Sequence, residues 1–321
     1  MGTAVPPARP GAARGAPVIS VGNLAMGGRG KTPVVALVTR QLLAAGERPA
    51  ILSRGYGRRR REDGVVIVSD GRRRLADLDR SGDEPLMLAR MLPGAAVLVC
   101  EVRAMAARLA ETRLGASVHV LDDGFQHTSL VRDADIVIVA PADLRDRRLP
   151  FGRLRSSVKA LARADAVIID GADDPAIRQA IEDAARPAVP AVFVLHRSLG
   201  APVAVEPERA WPDGRGPVVA LAGIAEPDRF AQALRGAGWE VVHTVAFGDH
   251  HRYRRRDLDR VADVVARAGA AGVLTTTKDA VRLLPLRPLP VPVAAVPLDV
   301  TIEPAGVFAE WLQTRLREAR A

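Results

Sequence analysis

Val18-Ile19-Ser20-Val21-Gly22-Asn23-Leu24-Ala25-Met26-Gly27-Gly28-Arg29-Gly30-Lys31-Thr32-Pro33 runs from a short apolar stretch through a glycine-rich turn into a helix start. That layout is a phosphate-binding loop between a buried strand and a helix. Glycines let backbone N–H groups converge on a phosphate without side chains in the way. The helix that follows adds the positive end of its dipole. Lys31 supplies a mobile positive charge, and the Thr32 hydroxyl a ligand for Mg2+. The loop departs from the form Gly-x4-Gly-Lys-Ser/Thr where Ala25 replaces the first glycine, and Gly27, Gly28 and Gly30 compensate.

Outward from this loop, apolar runs recur at 17–21, 49–52, 65–68, 96–99, 117–121, 136–139, 166–169 and 191–195, with helix-like stretches at 33–45, 84–91 and 102–114. Alternation of this kind predicts an α/β domain with a largely parallel sheet, and ligands at the carboxyl ends of its strands. Pro202, Pro207, Pro212, Gly214 and Gly216 break the pattern, so a linker is expected at about 198–216. Strands at 218–222, 241–245, 272–276 and 291–296, with helices at 228–237, 256–268 and 306–317, form a second unit. The Pro-rich region 286–297 reads as loop plus edge strand. The prediction is two P-loop or Rossmann-like α/β domains, a larger one over 1–200 and a smaller one over 217–321 that closes an interdomain cleft.

Composition narrows the function classes. Of 321 residues, 48% are hydrophobic and only 3% aromatic, so the core is built from Ala, Val, Leu and Ile. The lone cysteine, Cys100, excludes an internal disulfide and a cysteine-based zinc cluster. The net charge of +9 favours anionic partners such as acidic lipid or phosphorylated substrates. No run approaches the roughly 20 apolar residues of a membrane span, and residues 1–17 lack the apolar core of a secretory signal.

Further motifs carry chemistry. Ser53-Arg54-Gly55-Tyr56-Gly57 follows the second strand, where a glycine-flanked arginine can reach a phosphate. Basic clusters at 58–61 and 72–74 follow it. Ser81-Gly82-Asp83-Glu84-Pro85 opens a helix, with Asp83 as a cap or as acceptor of a hydroxyl proton and Glu84 beside a metal. Val118-His119-Val120-Leu121-Asp122-Asp123-Gly124-Phe125-Gln126-His127 is a strand ending in carboxylates, the usual partner of a phosphate loop that holds Mg2+. Phe247-Gly248-Asp249-His250-His251-Arg252-Tyr253 offers one histidine for proton transfer or phosphate contact. Thr275-Thr276-Thr277-Lys278-Asp279 ends a strand and starts a helix, adding the charge of Lys278.

Together, and in this order, GNLAMGGRGKTP at 22–33, SRGYG at 53–57, SGDEP at 81–85, DDGFQH at 122–127, FGDHHRY at 247–253 and TTTKDAVRL at 275–283 resemble the tetraacyldisaccharide 4'-kinases of lipid A biosynthesis. The resemblance implies transfer of the ATP γ-phosphate to the 4'-hydroxyl of a tetraacylated glucosamine disaccharide 1-phosphate. It implies that Gly27, Gly28, Gly30, Lys31, Thr32, Asp122 and Gln126 bind the nucleotide. Thr32, with Glu84 or Asp123, would hold Mg2+, and Asp83 would act as base paired with His250, Lys31 assisting. Asn23, Arg54, Tyr56, His127, Arg153 and Arg155 would face the acceptor. The implied protein is a peripheral monomer at the cytoplasmic face of the inner membrane, binding an acylated disaccharide and an acidic membrane surface and no nucleic acid.

The chain departs from the family pattern in places. The family's apolar N-terminal helix is replaced by polar or small residues over 1–17, which leaves the arginines at 58–61 and 72–74 to attract acidic lipid. Thr-Thr-Glu-Lys-Asp reads Thr275-Thr276-Thr277-Lys278-Asp279. Leu-Pro-Ala-Gly-Pro-Leu-Arg reads Leu149-Pro150-Phe151-Gly152-Arg153-Leu154-Arg155. Two rival readings share the phosphate loop: a kinase of a soluble sugar or nucleotide, and a partitioning-type ATPase switch. The second has a signature lysine where this chain has Met26.

Overall fold

The computed structural model describes residues 15–27, 30–127, 129–209, 211, 214 and 216–321. The chain divides into two compact units, one reaching His196 and resuming from Val300 to Ala321, the other Arg197–Asp299.

The first unit opens with β1 (Val18–Asn23), α1 (Lys31–Ala44), β2 (Pro49–Ser53), β3 (Val66–Asp70), α2 (Leu78–Ser81) and α3 (Asp83–Met91). It continues with β4 (Ala96–Val99), α4 (Arg103–Leu114), β5 (Val118–Asp122), β6 (Ala134–Val139), β7 (Ala166–Ile169), α5 (Pro175–Ala185) and β8 (Ala191–Leu199). The second unit holds β9 (Val203–Ala204), β10 (Val218–Ala222), α6 (Pro227–Gly236), β11 (Val241–Ala246), α7 (Arg255–Arg267), β12 (Gly272–Thr276), α8 (Thr277–Leu283) and β13 (Val293–Val296). The chain ends in β14 (Leu298–Glu303) and α9 (Ala305–Arg320).

Every residue of β1, β2, β4, β5, β6 and β7 is buried, as parallel strands covered on both faces require. They join a nine-stranded sheet in the order β14-β8-β7-β6-β1-β5-β2-β4-β3. All pairs from β8 through β4 are parallel, and β3 runs antiparallel to β4. After β1 the chain builds outward to one side through β2 and β4, fills the gap with β5, then crosses to β6 on the other side. β1, β5 and β6 are therefore the switch point, where a crevice opens at the carboxyl ends of an open sheet. The phosphate loop leaves β1 there, and the Asp122-Asp123 turn leaves β5 beside it.

Phe125 locks these two turns together. Its ring is fully buried in a cluster with Leu24, Ala25, Val137 and Leu154. A β-carbon on Gly22 would lie 2.5 Å from the Phe125 Cβ, so the approach admits only glycine.

The structure redraws the predicted domain boundary. The helix expected at 306–317 in the second unit belongs to the first, as α9. Its apolar side explains the return: Phe308 and Trp311 pack on Phe193 of β8, with centroids 5.1 and 6.1 Å away. At its far end Arg320 forms a two-pronged pair with Glu47, at 2.8 and 2.7 Å. Within the stretch expected to be linker, 198–216, lie the end of β8 and the short strand β9. Because β9 pairs with β13, the Pro-rich strand is interior to its sheet and not an edge. That sheet has the order β11-β10-β12-β13-β9, parallel except at β9.

Removal of the Phe125 ring should cost the first unit about 3–5 kcal/mol in urea unfolding. Gly22→Ala should be comparably destabilising, because the methyl meets an immobile backbone. A loss under about 1 kcal/mol for Phe125→Ala would show that other contacts hold the turn.

Candidate active site

Asn23, at the end of β1, is fully buried. Its Nδ2 donates to the Ala25 carbonyl at 2.8 Å and so curls the loop. Its Oδ1 accepts from Lys31 Nζ at 3.1 Å and from Arg155 Nη2 at 2.5 Å. Arg155 also grips Asp123 with both prongs, at 2.9 and 2.8 Å. Lys31 Nζ stands 3.5 Å from the same carboxylate. Gln126 Nε2 donates to the Asn23 carbonyl at 2.7 Å. Two loops and a strand end are thus tied by one buried carboxamide and one carboxylate.

Helix α1 begins after Gly30 with no side-chain cap among the described residues. Among the same residues, the buried Arg155 Nε and Gln126 Oε1 find no hydrogen-bond partner. An uncapped helix start, a lysine and buried donors suit a polyphosphate. Thr32, half-buried in the first turn of α1, stands among them. Gly28 lies outside the described residues.

Acidic groups gather on the opposite side of this knot. Gly82 begins α3 at φ 84°, and a β-carbon there would lie 2.7 Å from the Tyr56 carbonyl. Only glycine can therefore deliver Asp83 and Glu84 at this point. Asp83 is buried, and its Oδ1 accepts the Glu84 N–H at 2.9 Å. Burial, followed by the Glu84 and Asp123 carboxylates, pushes the Asp122 carboxyl up to about 7. Lys31 and Arg103 pull it the other way. Burial also works to raise Asp123, but Arg155 and Lys31 outweigh it, so Asp123 lies below its ordinary value. Asp122 thus feels the Glu84 and Asp123 carboxylates more than the two cations near it, whereas Asp123 is held directly by Arg155 and Lys31.

A third group is basic. Arg103, the first residue of α4, is 2% exposed, and its Nη1 donates to the Cys100 carbonyl at 3.3 Å. Burial first, then the Arg54 charge, lowers its pKa, while Asp122 and Asp123 oppose the fall. His127 is also lowered, by burial and then by Arg103, Arg54 and Arg132. His127 thus lies in the field of three arginines, a charge balance that favours an anion. Arg54 and Tyr56 are exposed. Arg153 is exposed too, with Nη2 3.8 Å from where a Gly27 β-carbon would stand.

The second unit carries its own constellation at the carboxyl ends of β10, β11 and β12. Asp279 is fully buried and accepts from Tyr253 Oη at 3.0 Å, Arg282 Nη1 at 2.9 Å and the Gly223 N–H at 3.1 Å. That pair supports a cationic face in which His250 contacts Lys278 Nζ at 3.2 Å and Arg282 Nη2 at 3.4 Å. His250 adopts φ 57°, a left-handed backbone that turns its ring away from its neighbour's direction. His251 is consumed by packing: it stacks on Phe247 with centroids 4.2 Å apart and meets Asp257 at 3.1 Å.

The family model described as Tetraacyldisaccharide-1-P 4'-kinase matches residues 8–317. The chain belongs to this family. It is 43% identical over 305 residues to the Tetraacyldisaccharide 4'-kinase of Anaeromyxobacter sp. (strain Fw109-5), covering 90% of this chain and 79% of that one. The corresponding protein of Geobacter metallireducens is 44% identical over 279 residues, 84% of this chain and 79% of its own. The crystal structure of LpxK from Aquifex aeolicus in complex with ATP superposes with a TM-score of 0.74 at 30% identity. That match covers 94% of this chain and 89% of the other.

Within the tetraacyldisaccharide 4'-kinase fold, the residues singled out by sequence fall into place unevenly. Lys31, Asn23, Asp123, Gln126 and Arg155 meet directly. Asn23, expected to face the acceptor, has its side chain wholly taken up by the loop and two cations. Of the arginines at 58–61, Arg58 turns inward, its Nη2 3.5 Å from Glu101 Oε1, and the other three are exposed. Sequence reading passed over Arg103, Arg132 and the Asp279–Arg282 pair. Arg103 sits in an ordinary Arg/Ala-rich helix, and only the insertion of β5 beside β2 brings it near Asp122.

The raised Asp122 has a pH signature. A carboxyl with a raised folded pKa favours folding while protonated; that contribution is present below its ordinary 3.8 and lost as pH climbs through about 7. Asp122→Asn should therefore be more stable than wild type at pH 8, by about 1–3 kcal/mol, and equal to it below about pH 4. Thermal melts across that range test this, and a pH-independent difference would refute the buried-carboxylate assignment.

Proposed function

We propose that this chain transfers the γ-phosphate of ATP to the 4'-hydroxyl of tetraacyldisaccharide 1-phosphate in lipid A biosynthesis. Membership of the family supports the reaction, and the ATP held by the Aquifex aeolicus relative supports the donor. The observation that carries the reading is the Lys31–Asn23–Arg155–Asp123 knot beside a helix start without a side-chain cap and the buried Asp122 carboxyl.

Each residue has a physical task. The α1 amides with Gly27, Gly28 and Gly30, and Lys31, bind the polyphosphate, and Arg155 and Gln126 offer it their spare polar atoms. Among the described residues no group of three His, Cys, Asp or Glu side chains is arranged for a metal. Mg2+ needs no such cage, since one or two carboxylates and phosphate oxygens suffice. Thr32, Glu84 and Asp122 fit that role, whereas Asp123 is already neutralised by Arg155 and Lys31. When bound, Mg2+ offsets the negative charge on the phosphates. Asp83 accepts the proton of the 4'-hydroxyl as its oxygen bonds to phosphorus and ADP leaves. We assign His250, not His251, to assist, because His251 is committed to Phe247 and Asp257. Arg54, Tyr56, Arg103, His127 and Arg153 suit the acceptor's 1-phosphate and sugar.

The substrate's acyl chains place the work at a membrane surface, and we assign the cytoplasmic face of the inner membrane. No helix among the described residues is long and apolar enough to cross a membrane. Exposed arginines supply the attraction to acidic lipid.

Radiolabelled γ-phosphate should pass to micellar tetraacyldisaccharide 1-phosphate only with Mg2+ present. Lys31→Ala should reduce kcat about a hundredfold or more. Unlabelled lipid with ATP bound normally, or label drawn off by soluble sugars, would sink the assignment. His250→Ala should slow turnover at unchanged melting temperature, while His251→Ala should chiefly lower the melting temperature.

A further inference from the structure

Resting on the lipid-kinase reading, we propose that the loop at residues 147–153 is a wedge that seats the first unit in an anionic bilayer surface. Phe151, at the tip of this loop, is 83% exposed, and Leu149 beside it is 49% exposed. A single exposed apolar residue means little. Here the exposure is built into a rigid turn. Leu149 N–H donates to the Leu154 carbonyl at 3.0 Å, Leu154 N–H to Arg147 at 3.0 Å, and Phe151 N–H to Arg148 at 3.0 Å. The Asp146 carboxylate closes the neck by accepting the N–H groups of Arg147 at 2.7 Å and Arg153 at 3.2 Å. Leu154 anchors the base in the core at 2% exposure. A turn held this firmly has no inward place for Phe151.

Charge around the tip identifies the occupant. Arg145, Arg147 and Arg148 are all exposed, a cluster of cations next in the chain to this apolar point. A soluble protein partner would meet an apolar point with an apolar socket, and nucleic acid would have no use for Leu149 and Phe151. Acidic headgroups over acyl chains satisfy both parts: the arginines stay at headgroup level, and the aromatic ring enters the boundary.

The wedge is also wired to the chemistry. Met26 N–H of the phosphate loop donates to the Arg153 carbonyl at 2.8 Å, and Met26 itself is 52% exposed. Arg155, one residue past the buried anchor, grips Asp123 and Asn23. Docking through this loop would therefore hold the phosphate site at headgroup height, where the hydroxyl of an acylated disaccharide lies.

The test uses the full chain with vesicles of phosphatidylcholine, with and without phosphatidylglycerol. Wild type should sediment with the anionic vesicles, Phe151→Ser should partition about tenfold more weakly, and Arg147→Ser and Arg148→Ser each about fivefold more weakly with a flatter salt dependence. A polarity-sensitive dye on Phe151→Cys should shift to the blue only with anionic vesicles; the native Cys100 is buried and leaves the label selective. Phe151→Ser, Arg147→Ser and Arg148→Ser should phosphorylate micellar substrate as wild type does. Phe151→Ser binding vesicles as well as wild type, or a dye that stays in water, would overturn the wedge. So would a KM rise for Phe151→Ser as large in micelles as in vesicles, which would place the ring on substrate instead. If wild type itself labels no micellar lipid, the kinase reading fails, and the vesicle result then stands apart from it.

Discussion

A buried amide oxygen, Asn23 Oδ1, accepts hydrogen bonds from two cations at once, and the first unit's site is arranged about it. Neither Lys31 nor Arg155 could be half-buried at this strand end without acceptors, because an unpaired charge there costs several kcal/mol. Asn23 and Asp123 supply those acceptors from adjacent strand ends. The β1–β5 register brings them side by side, and Phe125 with Gly22 holds the two turns at contact distance. The end of β1 and the start of α1 are thus held against the Asp122-Asp123 turn, and that ordering cost is borne in folding.

The same arrangement divides the aspartates at the end of β5 by environment. Asp123 faces Arg155 and Lys31 and stays ionised; Asp122 is buried within the field of the Glu84 and Asp123 carboxylates and resists ionisation. Adjacent carboxylates with opposite tendencies mark a site where environment, not residue type, sets the charge.

Much of this was legible in the sequence where chemistry is local. The phosphate loop, the Asp122-Asp123 turn and the Gly82-Asp83-Glu84 helix start each declare their geometry within a few residues, because glycine placement and strand polarity are short-range properties. The parallel sheet was legible for the same reason, since fully buried strands read as unbroken apolar runs. What escaped depended on strand order. Arg103 looks like any surface arginine until β5 is inserted between β1 and β2. The destination of α9 was hidden because its partners, Phe193 and Glu47, lie more than a hundred residues upstream. The resemblance already pointed to His250, and the commitment of His251 to Phe247 and Asp257 is tertiary and so invisible in sequence.

The return of β14 and α9 to the first unit also bears on synthesis. β8 is one strand short of its neighbour until residues 300–303 exist, and Phe193 has no cover until Phe308 and Trp311 follow. Folding on the ribosome proceeds from the N-terminus at about 5–20 residues per second. The nascent first unit must therefore wait, with an open sheet edge and a bare aromatic face, while all of Arg197–Asp299 is translated. In that interval the chain depends on chaperones or on speed, although the finished protein has no such exposed edge at β8.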